Sequence, residues 1–322
     1  MISIRRFLIS TFAAAAIAAS MGASEAAAQL TGIRFPRASP MASVMQRIGV
    51  TDVTIVYGRP AVKGRTIWGE WPKDAKGEST LDNQNERPAG APIVPYGHIW
   101  RTGANEATQF TVTDDVLING QKLAAGSYSL HTIPGKDEWT VVFNGTANQW
   151  GSFNYDPAKD TLRVKTKPQW VAESQEYLAF SIDPASDSSA VVTIRWEKVR
   201  VPFTVEVADV KATTIARARE AIAAAKADDW RTPYQAAIYA RDNKMDAEAK
   251  AWFEQALKVA DANLAAKETF QNYVAKTNIL LASGRRDEAF AVAEKAIARG
   301  KADKVDTAAF EKRIADLKAQ KN

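Results

Sequence analysis

The stretch INGQKLAAGSYSLHTIPG, Ile118–Gly135, decides the fold class. It carries three turn signals, Asn119-Gly120, Ala125-Gly126 and Pro134-Gly135, and between the last two the run Ser127–Ile133. Asn and Gly both tolerate the positive φ of a type I′ turn, so Asn119-Gly120 predicts a tight antiparallel hairpin. Strand-forming residues held between such turns fit a sheet with one face in a core.

Outward from this stretch the same rhythm recurs. Val53, Ile55 and Tyr57 alternate with Thr54 and Val56. Further runs are Gln109–Thr113, Val116–Asn119, Trp139–Asn144, Thr161–Lys165, Tyr177–Ile182, Ala190–Trp196 and Val201–Val207, with turns at Asn144-Gly145 and Asp183-Pro184. About nine short strands at this spacing predict an antiparallel β-sandwich over residues 29–207. One segment interrupts it. Residues 71–92, WPKDAKGESTLDNQNERPAGAP, are polar, rich in Gly and Pro and without periodicity, and read as a long mobile loop.

Near Ala208 the period lengthens to 3.6, and residues 208–322 read as an all-α tail. Thr232 as the cap and Pro233 at the first helical position mark a helix start, and Ala249, Trp252, Phe253, Ala256, Leu257 and Ala260 share one helical face. Gly284 and Gly300 sit where C-caps belong. Ala289, Ala293 and Ala296 repeat the offsets of Ala249, Phe253 and Ala256. That spacing is similar to the second helix of a tetratricopeptide repeat, although those repeats recur at about 34 residues. A last helix follows with Phe310, Ile314 and Leu317.

The chain of 322 residues has no cysteine, which excludes disulfides, thiolate nucleophiles and Cys-bound zinc. Arg5 and Arg6, an uncharged stretch from Phe7 to Ala23 and the small residues Ala26-Ala27-Ala28 predict a signal peptide, residues 1–28, cleaved after Ala28. The alternative, a membrane anchor, asks for a span of about 20 strongly apolar residues. No later stretch spans a membrane, so the expected mature protein is exported to the periplasm or beyond. The net charge is +5, and four of it lies in the tail, where 21 Lys+Arg face 17 Asp+Glu. Charges spread over helices describe a solvated face, not a nucleic-acid footprint.

Four blocks carry a resemblance: TDVTIVYGRPAVKGRTIWG (Thr51–Gly69), VPYGHIWRTGANEAT (Val94–Thr108), INGQKLAAGSYSLHTIPG and NQWGSFNYD (Asn148–Asp156), preceded by Ser39-Pro40. Over residues 36–207 the chain resembles the bacterial family called domain of unknown function 2911. The resemblance implies an exported β-sandwich, often with a helical tail, and implies no activity. Two departures stand out: His98 stands where members usually carry Lys, and the polar insert lengthens the path from IWG to VPYG.

Candidate chemistry is sparse. A metal site from His98, His131 and Glu106 or an Asp lacks any HExxH-like spacing, so no metal and no cofactor is expected. The plainer reading of His131 is a half-buried, hydrogen-bonded strand residue. Trp100–Glu106 packs Arg101, Asn105 and Glu106 into one loop, fit to bind a polar ligand or to close the sandwich end by a buried Arg101–Glu106 pair. Arg59, Lys63 and Arg65 form a basic turn, and Asn148, Trp150 and Tyr155 offer amide and aromatic faces. Together they suit a sugar or acidic polymer. The leading expectation is a non-enzymatic binding or scaffold module whose partner is an envelope protein or polysaccharide. A hydrolase using Glu106 with an Asp or His131, and a purely structural envelope protein, are the alternatives.

Overall fold

The computed structural model describes residues 35–72 and 90–320. Residues 1–28, read above as an export signal, and residues 73–89 of the polar insert lie outside them.

Twelve strands run in chain order among the described residues. They are β1 (Met41–Ile48), β2 (Thr51–Gly58), β3 (Trp68–Gly69), β4 (Val94–Pro95), β5 (Thr108–Val112) and β6 (Val116–Ile118). Then come β7 (Gln121–Leu123), β8 (Gly126–Ile133), β9 (Trp139–Asn144), β10 (Asp160–Thr166), β11 (Gln169–Ser186) and β12 (Ser189–Glu206). Six of them form an antiparallel sheet ordered β1-β2-β5-β8-β9-β10, four form a second ordered β11-β12-β6-β7, and β3 pairs with β4. The two large sheets bury one shared core, with Ile55, Phe110, Leu130 and Phe143 from one and Ile118, Val192, Ile194 and Phe203 from the other. At one end four indoles meet: Trp68 lies 5.0 Å from Trp139 and 5.6 Å from both Trp100 and Trp196, measured between ring centres. This is the β-sandwich that the alternation predicts.

Local chemistry explains the turns. Asn119 (φ 46) and Gly120 (φ 80) both take the positive φ expected of them. Between β1 and β2 the two-residue turn opens on Gly49 at φ 60, as a type II′ turn requires. The runs Ala190–Trp196 and Val201–Val207, read as separate strands, are one strand, β12. Glu197 at φ 51 shifts the alternation between them, and β11 is irregular opposite it.

Six helices follow: α1 (Val210–Ala224), α2 (Arg231–Asp242), α3 (Asp246–Ala266), α4 (Phe270–Ala282), α5 (Arg286–Ala302) and α6 (Ala308–Ala319). α2 with α3 and α4 with α5 make two helical hairpins. None of the described helices is long and apolar enough to cross a membrane. Two local expectations are corrected. Thr232 is not the cap of α2; the Asp229 carboxylate accepts from the Arg231 N–H at 2.9 Å and from the Thr232 hydroxyl at 2.7 Å. Gly284 follows α4 at φ 80, but Gly300 lies inside α5, where a side chain would meet Thr307 and Phe270. α1 joins the two parts, since Val210 packs on the sandwich core while Ile215 belongs to the helical one.

Candidate functional site

Residues on β8 point alternately to the two sides of its sheet. Tyr128 and Leu130 enter the sandwich core, so Ser129 and His131 face outward, where a sheet ordinarily meets water. Here it does not. Ser129, His131, Val142 and Asn144 are fully buried. Residues 145–159, which connect β9 to β10, fold back over them as a strap.

Backbone and side-chain bonds fasten the strap. The Ala107 N–H donates to the Gln149 carbonyl and the Gly151 N–H to the Asn105 carbonyl, each at 2.9 Å. Beneath, Gln149 Nε2 donates to Ser129 Oγ at 2.9 Å. Asn144 Nδ2 donates to Asp160 Oδ1 at 2.8 Å and to the Asp156 carbonyl at 2.9 Å, while its Oδ1 accepts the Thr146 N–H. The Tyr155 hydroxyl donates to Asp160 Oδ2 at 2.7 Å and accepts from Arg163 Nη2 at 2.9 Å. A buried polar layer with its partners in place is rigid, because each bond lost would leave a dry polar atom.

Gln149 Oε1 lacks a partner within it, and so does the imidazole of His131. Its ring lies 5.0 Å from that of Tyr155. The carbonyls of Ser129 and Gly151 come near, yet neither ring nitrogen completes a hydrogen bond. Burial pulls the imidazole down to about 4, against the upward pull of the two carbonyls and of Asp160. It is therefore neutral at pH 7 and not the half-buried, hydrogen-bonded residue expected from sequence. Burial, with help from Asp160, pushes the Tyr155 hydroxyl up to about 12. Burial also lowers Arg101, whereas the charge of Glu106 raises it.

Arg101, Asn105, Glu106, His131, Trp150 and Tyr155, named from the sequence, thus lie at or under the strap, and Asn148 sits at its edge, accepting from Gln109 Nε2 at 2.9 Å. Their pairings differ from expectation. Glu106 receives Arg37 Nη1 on both oxygens, at 2.8 and 2.9 Å, with both side chains nearly half exposed. Asn105, at φ 66, donates to the Ser39 carbonyl at 3.3 Å, so both residues hold the incoming N-terminal segment.

Arg59, Lys63 and Arg65 do not join this group. Arg59 Nε donates to the Leu178 carbonyl at 2.8 Å and its guanidinium lies 5.9 Å from the Tyr177 ring centre. The Lys63 N–H donates to Glu176 Oε1, and Arg65 donates to the Val62 and Ala61 carbonyls. The bonds of Arg59 and Lys63 clamp the turn to β11, and those of Arg65 close the turn on itself. Among the described residues no three His, Asp or Glu side chains converge as a metal site. Sequence reading missed Arg37, Ser129, Asn144, Asp160 and Arg163. The parity of Ser129 with His131 was the one available signal, and it says nothing of what covers them.

At the strap's outer surface Trp150 and Phe153 are 56% and 55% exposed. The arrangement leaves aromatic faces in solvent while withholding its histidine. The family model described as Protein of unknown function (DUF2911) matches residues 39–205. No curated protein and no solved structure matches the chain. Since that match takes in both sheets and the strap, and more than half of the 322 residues, the chain belongs to the DUF2911 family.

Proposed function

We propose that the chain is an exported, non-enzymatic binding or scaffold module that meets an envelope polysaccharide or protein through its strap. One contrast carries this reading: the titratable histidine is sealed, whereas Trp150 and Phe153 on the covering segment stand more than half in solvent. Exposed aromatic rings on a rigid base stack on sugar rings or fill pockets on a partner at small entropic cost. Export rests on the Arg5-Arg6 pair, the uncharged stretch after it and the Ala26–Ala28 motif.

The hydrolase alternative is weaker on the same geometry. Glu106 is engaged by Arg37, and His131 reaches no solvent from which a substrate could approach. The helical tail supports a second contact of the same module. Between α3, α4 and α5 lies a hollow of about 350 Å³ lined by Lys258, Lys276 and Arg285 with Glu254, Asp261 and Glu288. Tetratricopeptide-like stacking of the two hairpins is the reading of that tail.

The test is calorimetric titration of the wild type and the Trp150→Ala, Phe153→Ala double variant with a soluble acidic polysaccharide, beside thermal melts. Binding that weakens about tenfold or more in the variant, a loss of about 1.4 kcal/mol, at unchanged melting temperature supports the site. Absence of wild-type binding overturns the polysaccharide partner. Ester or glycoside turnover that disappears in Glu106→Gln overturns the non-enzymatic reading.

A further inference from the structure

The two large sheets have four edges, and three of them are closed to further strands. β10 carries Asp160, Arg163 and Lys165, has an irregular register between Asp160 and Leu162, and gives the Lys165 carbonyl to Asn119 Nδ2 at 3.1 Å. β7 is three residues long. β11 holds Glu173 and Glu176, and its register breaks between Trp170 and Gln175 and again before Ala179. Charges, bulges and shortness are the usual means by which a sheet edge is kept from pairing.

β1 is neither short nor bulged and carries a single charge. It pairs with β2 in one unbroken register from Met41↔Gly58 to Ile48↔Thr51. Its sequence, MASVMQRI, has no proline, and its one charge, Arg47, is held by Asp52 at 2.6 Å. The tight turn makes Ile48 and Thr51 a hydrogen-bonded pair, so alternate residues back along β1 bond to β2. The Arg59 N–H donating to the Pro40 carbonyl at 2.8 Å keeps the same phase beyond the strand. The backbone groups of Met41, Ser43 and Met45 therefore point away from the sheet, with no partner strand among the described residues.

We infer that β1 is the pairing edge of a two-fold homodimer, in which a second copy of this chain adds its own β1 antiparallel and joins the two six-stranded sheets. The segment is self-complementary. With the axis at Ser43, Met41 lies opposite the partner's Met45 twice, and Ala42 opposite the partner's Val44. Both methionines are 55% exposed in the single chain, and no charge lies between Met41 and Met45, so no like charges meet. Polarizable methionines adapt to such a contact. A strand-to-strand contact of this length is a small interface, so the dimer forms in a concentration-dependent way.

The chain has no cysteine, so Ser43→Cys introduces a lone thiol on the axis. Its Cα then lies about 5.5 Å from its mate in a hydrogen-bonded antiparallel pair, inside the disulfide range of about 4.4–6.8 Å. In the same register Met41→Cys sits about 14 Å from its mate. The expected result is a wild type that shifts from monomer to dimer with concentration in sedimentation velocity. Under mild oxidation Ser43→Cys cross-links, and Met41→Cys does so roughly tenfold more slowly. Ser43→Pro removes an outward N–H that the monomer does not use, and edge strands tolerate proline; it stays folded by circular dichroism and monomeric. A wild type that is monomeric at high micromolar concentration overturns the proposal, even if an extended peptide from another protein seats on the edge. So does a folded Ser43→Pro that still dimerises, or equal cross-linking at positions 41 and 43.

Discussion

Protonating His131 places a cation beneath the strap, facing Tyr155, Asp160 and Arg101, where burial outweighs every favourable neighbour. Its folded pKa of about 4 lies below the ordinary 6.5. Between those values the unfolded chain binds the proton and the folded chain does not. The associated stability is fully present above pH 6.5 and is lost as pH falls toward 4, by about 3 kcal/mol. Thermal melts between neutral pH and about pH 4 check this: the wild type loses stability over that window and His131→Leu loses markedly less. Equal losses would show that other groups govern the acid response. The residue types of this site were legible from sequence, because VPYGHIWRTGANEAT and NQWGSFNYD collect its polar and aromatic side chains. Their pairings were not, because Arg37 reaches Glu106 across 69 positions of chain.

Elements were most legible where backbone chemistry is local. Asn119-Gly120 specifies its turn by itself, since positive φ at two successive residues is a property of those residues. Gly300 shows the limit. Glycine near the end of an apolar pattern reads as a C-cap, yet α5 continues through it, and a Cβ there would lie 2.4 Å from Thr307 Cγ2 and 3.0 Å from the Phe270 ring. Alanine improves an exposed helix by about 1 kcal/mol over glycine. Gly300→Ala is nevertheless expected to lower the melting temperature of the tail, because α4 and the α5–α6 turn must move apart. A higher melting temperature would show that Thr307 and Phe270 yield freely. β12 failed to read as one strand for a related reason: a bulge at Glu197 alters the alternation without ending the hydrogen bonding.

For the whole molecule, two cores meet within one helix. Val210 belongs to the sandwich and Ile215 to the tail, and Arg217 of α1 bridges them with an ion pair to Asp114 at 2.8 Å. Separate cores predict two transitions in scanning calorimetry. Arg217→Ala should shift the tail's transition by less than about 1 kcal/mol, the usual worth of an exposed ion pair, and leave that of the sandwich in place. A single transition that moves as a unit in the variant would show one cooperative body. The sequence by itself determined the order of a β-sandwich and a helical tail, turns such as Asn119-Gly120 and the family, because period, turn chemistry and motif order are properties of short stretches. Asp183-Pro184, read as a turn, lies instead inside β11, paired with Val191 and Ala190. Only the tertiary structure decided that a loop closes over Ser129 and His131, that the Arg59–Arg65 turn clamps β11 instead of joining the other candidates, and that β1 lies at an edge. Those facts depend on which distant segments become neighbours, and burial, pKa and edge exposure are set by neighbours.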